Sequence, residues 1–175
     1  MKKKILSILT VLLLTTMLVS PASARGNIKL SGVKFSLGSL IANGFASGLG
    51  STDVTVVLDA GGHADIVCTN NGGNDVPGQS SPKVSGIGFD TLPGNDPLRK
   101  NGKSPFGVET DDPTIVAWNV GGCPNSNWTA RIDFIYWDHA TISVFDTATN
   151  VLLKKQNYNC TTTRFPASVS CTLAP

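Results

Sequence analysis

What this sequence has little of narrows its chemistry first. Only 15% of its residues are charged and only two are histidine. No run of Lys or Arg follows the first four residues, so the basic track that a phosphate backbone requires is missing and no nucleic-acid partner is expected. No Cys-x-x-Cys pair occurs and neither His63 nor His139 stands at zinc-finger spacing, which argues against a zinc site. No serine sits in a Gly-x-Ser-x-Gly elbow, and no Asp-x-Asp-x-Asp-Gly calcium loop is present. After Val19 no apolar run approaches the roughly 20 residues of a membrane-spanning helix. Outside residues 125–165, long stretches free of helix breakers are also missing after the N-terminal segment. All 18 glycines and 9 of the 10 prolines lie after residue 24, a density that interrupts helices and suits short strands joined by turns.

What is present begins with Met1-Lys2-Lys3-Lys4, an apolar run from Ile5 to Val19, and Pro21-Ala22-Ser23-Ala24. A basic start, a short apolar core and an Ala-x-Ala site make a secretory signal peptide over residues 1–24. Cleavage after Ala24 leaves residues 25–175, a chain long enough to bury one core as a single domain. It also removes the basic character, because without Lys2, Lys3 and Lys4 the balance is 11 basic against 12 acidic side chains. The mature chain is expected to be extracytoplasmic, with no membrane span.

The clearest strand pattern runs from Thr129 to Thr147. Ala130, Ile132, Phe134 and Tyr136 alternate with Arg131, Asp133, Ile135 and Trp137, the period of two that puts successive side chains on opposite faces of a sheet. A turn near Asp138-His139 and a return strand through Ile142 and Val144 would complete a hairpin. A second hairpin is expected from Asp53–Ala60 and His63–Thr69 around Gly61-Gly62. Further strands are expected over Ile28–Leu49 (two, or one bent, with a helix over 39–46 as the alternative), Lys83–Leu92, Phe106–Thr110, Ile115–Trp118, Val151–Cys160 and Ala167–Leu173. About nine short strands with polar turns imply an all-β fold, a single antiparallel β-sandwich that is Ig-like in the broad sense. It is not a true Ig domain, because Trp118 stands 50 residues after Cys68 and beside Cys123.

Four cysteines remain after cleavage: Cys68, Cys123, Cys160 and Cys171. An even count in an exported chain reads as two disulfides, for which three pairings exist. Cys160–Cys171, 11 apart and on neighbouring strands, together with Cys68–Cys123, 55 apart, is the favoured one. The segments Cys68-Thr-Asn-Asn-Gly-Gly-Asn-Asp-Val-Pro-Gly-Gln79 and Gly122-Cys-Pro-Asn-Ser-Asn-Trp-Thr129 resemble those of a loose set of short exported bacterial proteins of unassigned function. The resemblance spans roughly residues 38–160. It implies a compact disulfide-bonded β domain outside the cytoplasm and carries no site residues with it.

Candidate chemistry is sparse. His63 and His139 are read as exposed turn residues, and Asp133 with Arg131, two apart on one strand face, as a surface ion pair rather than a glycosidase acid. Asn74-Asp75, Asn95-Asp96 and Asp111-Asp112 offer oxygen ligands for calcium, but Asn and Asp beside Gly or Pro are ordinary turn formers, so no cofactor is expected. The aromatics are more informative. Seven of the twelve lie between residues 118 and 158, and Tyr136 and Trp137 are adjacent on one strand, so only one of the two can enter a one-sided core. Trp118, Trp128, Tyr136 and Trp137 form the candidate ligand platform, suited to sugar stacking or to a protein partner. The expected function is a non-catalytic exported interaction or structural domain with a surface protein as partner. A carbohydrate-binding module taking polysaccharide is the alternative, and a small secreted hydrolase the second alternative.

Overall fold

The structure, a computed structural model, describes residues 27–113 and 117–175. The expected signal peptide lies outside the described residues, as do Ile115 and Val116 of the short strand expected over 115–118; Trp118 lies in a turn. Among the described residues there is no helix, and nine strands form two antiparallel sheets. The smaller sheet has the order β1 (Lys29–Ser36), β2 (Ile41–Ser47), β6 (Lys103–Glu109). The larger has the order β4 (Asp75–Pro77), β3 (Val54–Asn70), β7 (Trp128–Asp146), β8 (Leu152–Arg164), β9 (Ala167–Leu173), with β5 (Lys83–Leu92) also pairing with β3. The all-β sandwich expectation holds, and residues 28–49 form two strands rather than a helix.

Two expectations fail in an instructive way. Asp53–Thr69 is not a hairpin about Gly61-Gly62, and residues 129–147 are not a hairpin about Asp138-His139. Each is one long strand, of 17 and 19 residues, and the two pair with each other from Val54↔Asp146 to Asn70↔Trp128. The supposed turns lie side by side in mid-sheet, because Gly61 is opposite His139 and Gly62 opposite Trp137, with Asp138 as an extra residue. Asp133 is a second extra residue, between Ile132↔Ile66 and Phe134↔Asp65. Both are β-bulges, which bend a strand and shift the phase of its side chains. Glycine serves clearance there rather than reversal, at Gly62 against backbone and at Gly61 against the exposed His139 ring. A Cβ at residue 61 would stand 2.5 Å from Cε1 of His139, and one at residue 62 would stand 1.9 Å from the Tyr136 carbonyl oxygen.

The bulges fix which face each side chain takes. On β3 the even residues from Val54 to Cys68 face inward without interruption. On β7 the inward set runs Ala130 and Ile132, then Ile135 and Trp137, then Ala140, Ile142 and Val144, gaining one residue at each bulge. Trp137 is fully buried. The inner face of the large sheet is covered in two halves. The small sheet packs on one half, placing Leu40, Ala42, Phe106 and Val108 against Val56, Leu58, Ile142 and Val144. Over the other half Cys123 packs with Ala64, Ile66, Cys68 and Ala130, flanked by Trp128 and Ile132. The disulfides are Cys68–Cys123 and Cys160–Cys171, the favoured pairing.

Candidate functional site

The bulges also determine what the opposite, outward face of the large sheet presents. His63 and Asp65 face outward on β3 because Gly62, Ala64 and Ile66 face inward. The register sets Tyr136 opposite His63 and Phe134 opposite Asp65. Side chains paired this way across a sheet stand within contact distance. The rings of His63 and Tyr136 accordingly stack with centroids 5.0 Å apart and an interplanar angle of 10°. Phe134 meets Tyr136 edge to face at 5.0 Å. From the end of β8 the guanidinium of Arg164 lies 5.6 Å from the Phe134 ring centroid and 5.5 Å from that of Phe165, within cation–π range.

Polar groups tie this aromatic row together. The Tyr136 hydroxyl donates to Asp65 Oδ2 at 3.1 Å, and Arg164 donates to the same oxygen at 3.1 Å and to Asp133 Oδ2 at 2.5 Å. His63 Nδ1 lies 3.1 Å from Asp138 Oδ2. At the far end Arg131 donates to Asp75 Oδ2 at 2.7 Å, and its other terminal nitrogen lies 3.9 Å from Asp133 Oδ1. Asp133 and Asp138 are the two bulge residues, so both irregularities of β7 deliver a carboxylate to the same ribbon. Hydrogen bonds from Thr69 and then from Arg131 hold the Asp75 carboxyl below its ordinary value. The hydrogen bond to Asp133 raises Arg164, whose charge is fixed at any physiological pH. Four carboxylates (Asp65, Asp75, Asp133, Asp138) against two guanidiniums leave the ribbon acidic. A cleft of about 340 Å³ opens at its centre, lined by Asp65, Asp133 and Arg164 together with Val67, Gly78 and Ser80.

The residues singled out in the sequence distribute unevenly over this arrangement. Tyr136 belongs to the ribbon. Trp137 does not, because the bulge at Asp133 turns it into the core, and its place in an exposed platform is corrected accordingly. Trp128 is half-buried against the Cys68–Cys123 cluster, while Trp118 is 39% exposed in a turn. His63 and His139 are mid-sheet rather than at turn tips. Asp133 lies near Arg131 as expected, yet its shorter ion pair is with Arg164. Phe134, Arg164, Phe165, Asp65 and Asp138 were not singled out together by sequence reasoning. One signal was legible: Trp137 and Ala140 are separated by Asp138-His139, a gap of three that marks an extra residue, whereas Phe134 and Tyr136 continue the alternation past Asp133 and hide the first bulge.

Among the described residues, no hydroxyl hydrogen-bonds to either imidazole, and no three His, Cys, Asp or Glu side chains converge as a metal site would require. The acidic loop residues have local partners: Asp75 accepts from Thr69 and Arg131, Asp96 from the Leu98 amide and Asp112 from Ser39. Comparison with protein-family profiles, with curated proteins and with solved structures finds no match.

Proposed function

We propose that the chain is an exported, non-catalytic interaction domain that engages its partner through the ribbon His63–Tyr136–Phe134–Arg164–Phe165. One observation carries this reading. Side chains from three strands are fixed against one another on an exposed sheet face by ring contacts and charge-assisted hydrogen bonds. The fold itself does not require such ordering on a solvated face. Aromatic rings and arginine held at low conformational cost are what protein-contact surfaces concentrate. Export is supported by the basic and apolar N-terminal segment with its Ala-x-Ala site and by the two disulfides, which persist in oxidising compartments. The likeness of two segments to short exported bacterial proteins points the same way.

Carbohydrate is the second reading, favoured by the carboxylates of Asp65, Asp133 and Asp138 beside the rings, where sugar hydroxyls find acceptors. One set of measurements addresses both readings. Co-sedimentation with insoluble polysaccharides and with envelope fractions of the producing cell is compared for the unaltered protein and for Phe134→Ala, Tyr136→Ala and Arg164→Ala. Retention that each substitution lowers at least tenfold, with the thermal midpoint held, supports the ribbon; equal retention by all three removes it. Sequencing of the exported protein should begin at Arg25, and an intact Met1 outside the cell would refute the signal-peptide reading.

A further inference from the structure

Every sheet has edges, and among the described residues every edge but one carries a guard, including the unpaired side of β7 before His139 (Arg131, Asp133) and that of β8 before Tyr158 (Lys154, Lys155). An unpaired edge strand offers free N–H and C=O groups to any passing strand, and folded proteins block it with charge, proline, bulges or cover. β1 carries Lys29 and Lys34 and a register shift between Ser31 and Lys34. β6 carries Lys103, Pro105 and Glu109, and its Gly107 amide is capped by Asp90. β4 is three residues long and holds Asp75 and Pro77. β5 starts at Lys83 and has its Ile87 carbonyl taken by the Asp111 amide. β9 reads Ala-Ser-Val-Ser-Cys-Thr-Leu. It has no charge and no proline, and its register with β8 runs without a shift. Among the described residues no strand pairs with its outer side, and β1, which packs close to it, makes no ladder with it.

The ladder shows which groups that outer side offers. Cys160 and Cys171 are directly opposite with Cα atoms 4.0 Å apart, the close spacing of a pair that exchanges no backbone hydrogen bonds. Val169, Cys171 and Leu173 therefore direct their N–H and C=O away from β8, and the even positions bond to it. The Ala174 amide donating to the Asn157 carbonyl follows that parity.

We propose that β9 pairs antiparallel with β9 of a second copy of this chain, about a two-fold axis at Ser170, joining two six-stranded sheets into one. The strand is self-complementary about that residue. Val169 faces Cys171 of the other copy and Ala167 faces its Leu173, so apolar side chains meet on the inner face. Ser168 faces Thr172 and Ser170 faces itself, so hydroxyls meet on the outer face. A neutral strand incurs no like-charge penalty in this arrangement, whereas β1 against its own copy would set lysines near lysines. Leu173, 59% exposed, gains cover at the end of the new ladder. An isologous contact of this kind closes at two copies, so it gives a dimer and not a filament.

The test is sedimentation equilibrium of protein expressed from the full coding sequence with both disulfides formed. The expected mass is twice that of one processed chain. Ser170→Lys and Ser170→Asp, each placing like charges opposite one another, should sediment as folded monomers whose thermal midpoints no longer rise with protein concentration, and an equimolar mixture should recover the dimer. Hydrogen exchange supplies a second readout. The amides of Val169 and Cys171 should be protected in the dimer and exchange freely in Ser170→Lys. A monomeric unaltered protein, a dimer indifferent to Ser170→Lys, or a mixture that stays monomeric would each overturn the Ser170 pairing.

Discussion

At the scale of single residues, steric clearance decides more than conformational preference. Gly62 is held by the approach of a backbone carbonyl, which cannot rotate aside as a long side chain does. Gly62→Ala would place its Cβ 1.9 Å from the Tyr136 oxygen, and relief requires moving β3 or β7 in the middle of the ladder. The expected cost is about 1–3 kcal/mol, read as a lower urea midpoint with an unchanged slope; a variant as stable as the parent would show that the two strands move apart freely. Tyr158 makes a different argument. Its ring packs edge to face on Phe35 at 5.0 Å, and burial raises its phenol above the ordinary value of 10.0. Because the folded value exceeds the unfolded one, its contribution to stability is complete below pH 10 and falls as pH rises through the folded value. Tyr158→Phe should remove that part of the alkaline loss, so the stability gap between variant and parent should shift in favour of the variant above pH 10. Parallel alkaline profiles would contradict the assignment.

At the scale of elements, strand identity was largely legible and strand continuity was not. Lys83–Leu92 and Ala167–Leu173 form strands with the bounds that alternation and turn residues indicate. Of three possible pairings the favoured one forms, with neighbouring strands as the ground for Cys160–Cys171 and no such ground for Cys68–Cys123, 55 apart. The failures at Gly61-Gly62 and Asp138-His139 share one physical cause. Gly, Asp and His beside one another are turn chemistry in a hairpin and clearance or bulge chemistry in a long strand, and only the partner strand decides between them. The ribbon was hidden for the same reason. Its members, at positions 63, 65, 133, 134, 136, 138, 164 and 165, come together through the β3–β7 register and the reach of Arg164, neither of which a local pattern contains. The β8–β9 hairpin allows an independent check. Closing its 11-residue separation by a disulfide is worth about 3 kcal/mol in the chain-entropy account. Cys160→Ala/Cys171→Ala should therefore lose about that much in equilibrium unfolding, and a loss below 1 kcal/mol would mean that the unfolded chain already holds the hairpin closed.

At the scale of the whole molecule, one sheet supports two covers of unequal kind. Over residues 54–60 of β3 and 140–144 of β7 the cover is a second sheet whose strands are hydrogen-bonded along their length. Over residues 64–68 and 130–132 it includes Cys123, in a segment without regular strands, tied to β3 by one sulfur bridge and to the 79–80 segment by the hydrogen bonds Gln79 to Gly122 and Ser80 to Val120. Such a cover is held by turn hydrogen bonds within itself and not by a strand ladder, so its local opening energy depends on the bridge rather than on cooperative pairing. The chain-entropy account assigns about 4 kcal/mol to closing the 55-residue separation. In Cys68→Ala/Cys123→Ala, exchange of the amides of Ala64, Ile66, Ala130 and Ile132 should accelerate by at least a hundredfold, while those of Val56, Leu58, Ile142 and Val144 slow or speed only with global stability. If both groups accelerate together by the same factor, the two halves unfold as one unit and the bridge acts on the whole chain. If only the first group responds, the outward ribbon belongs to the looser half, because His63 and Asp65 stand one and three residues beyond Gly62 on β3. The proposed contact face then rests on the yielding half, while the small sheet keeps the fold intact.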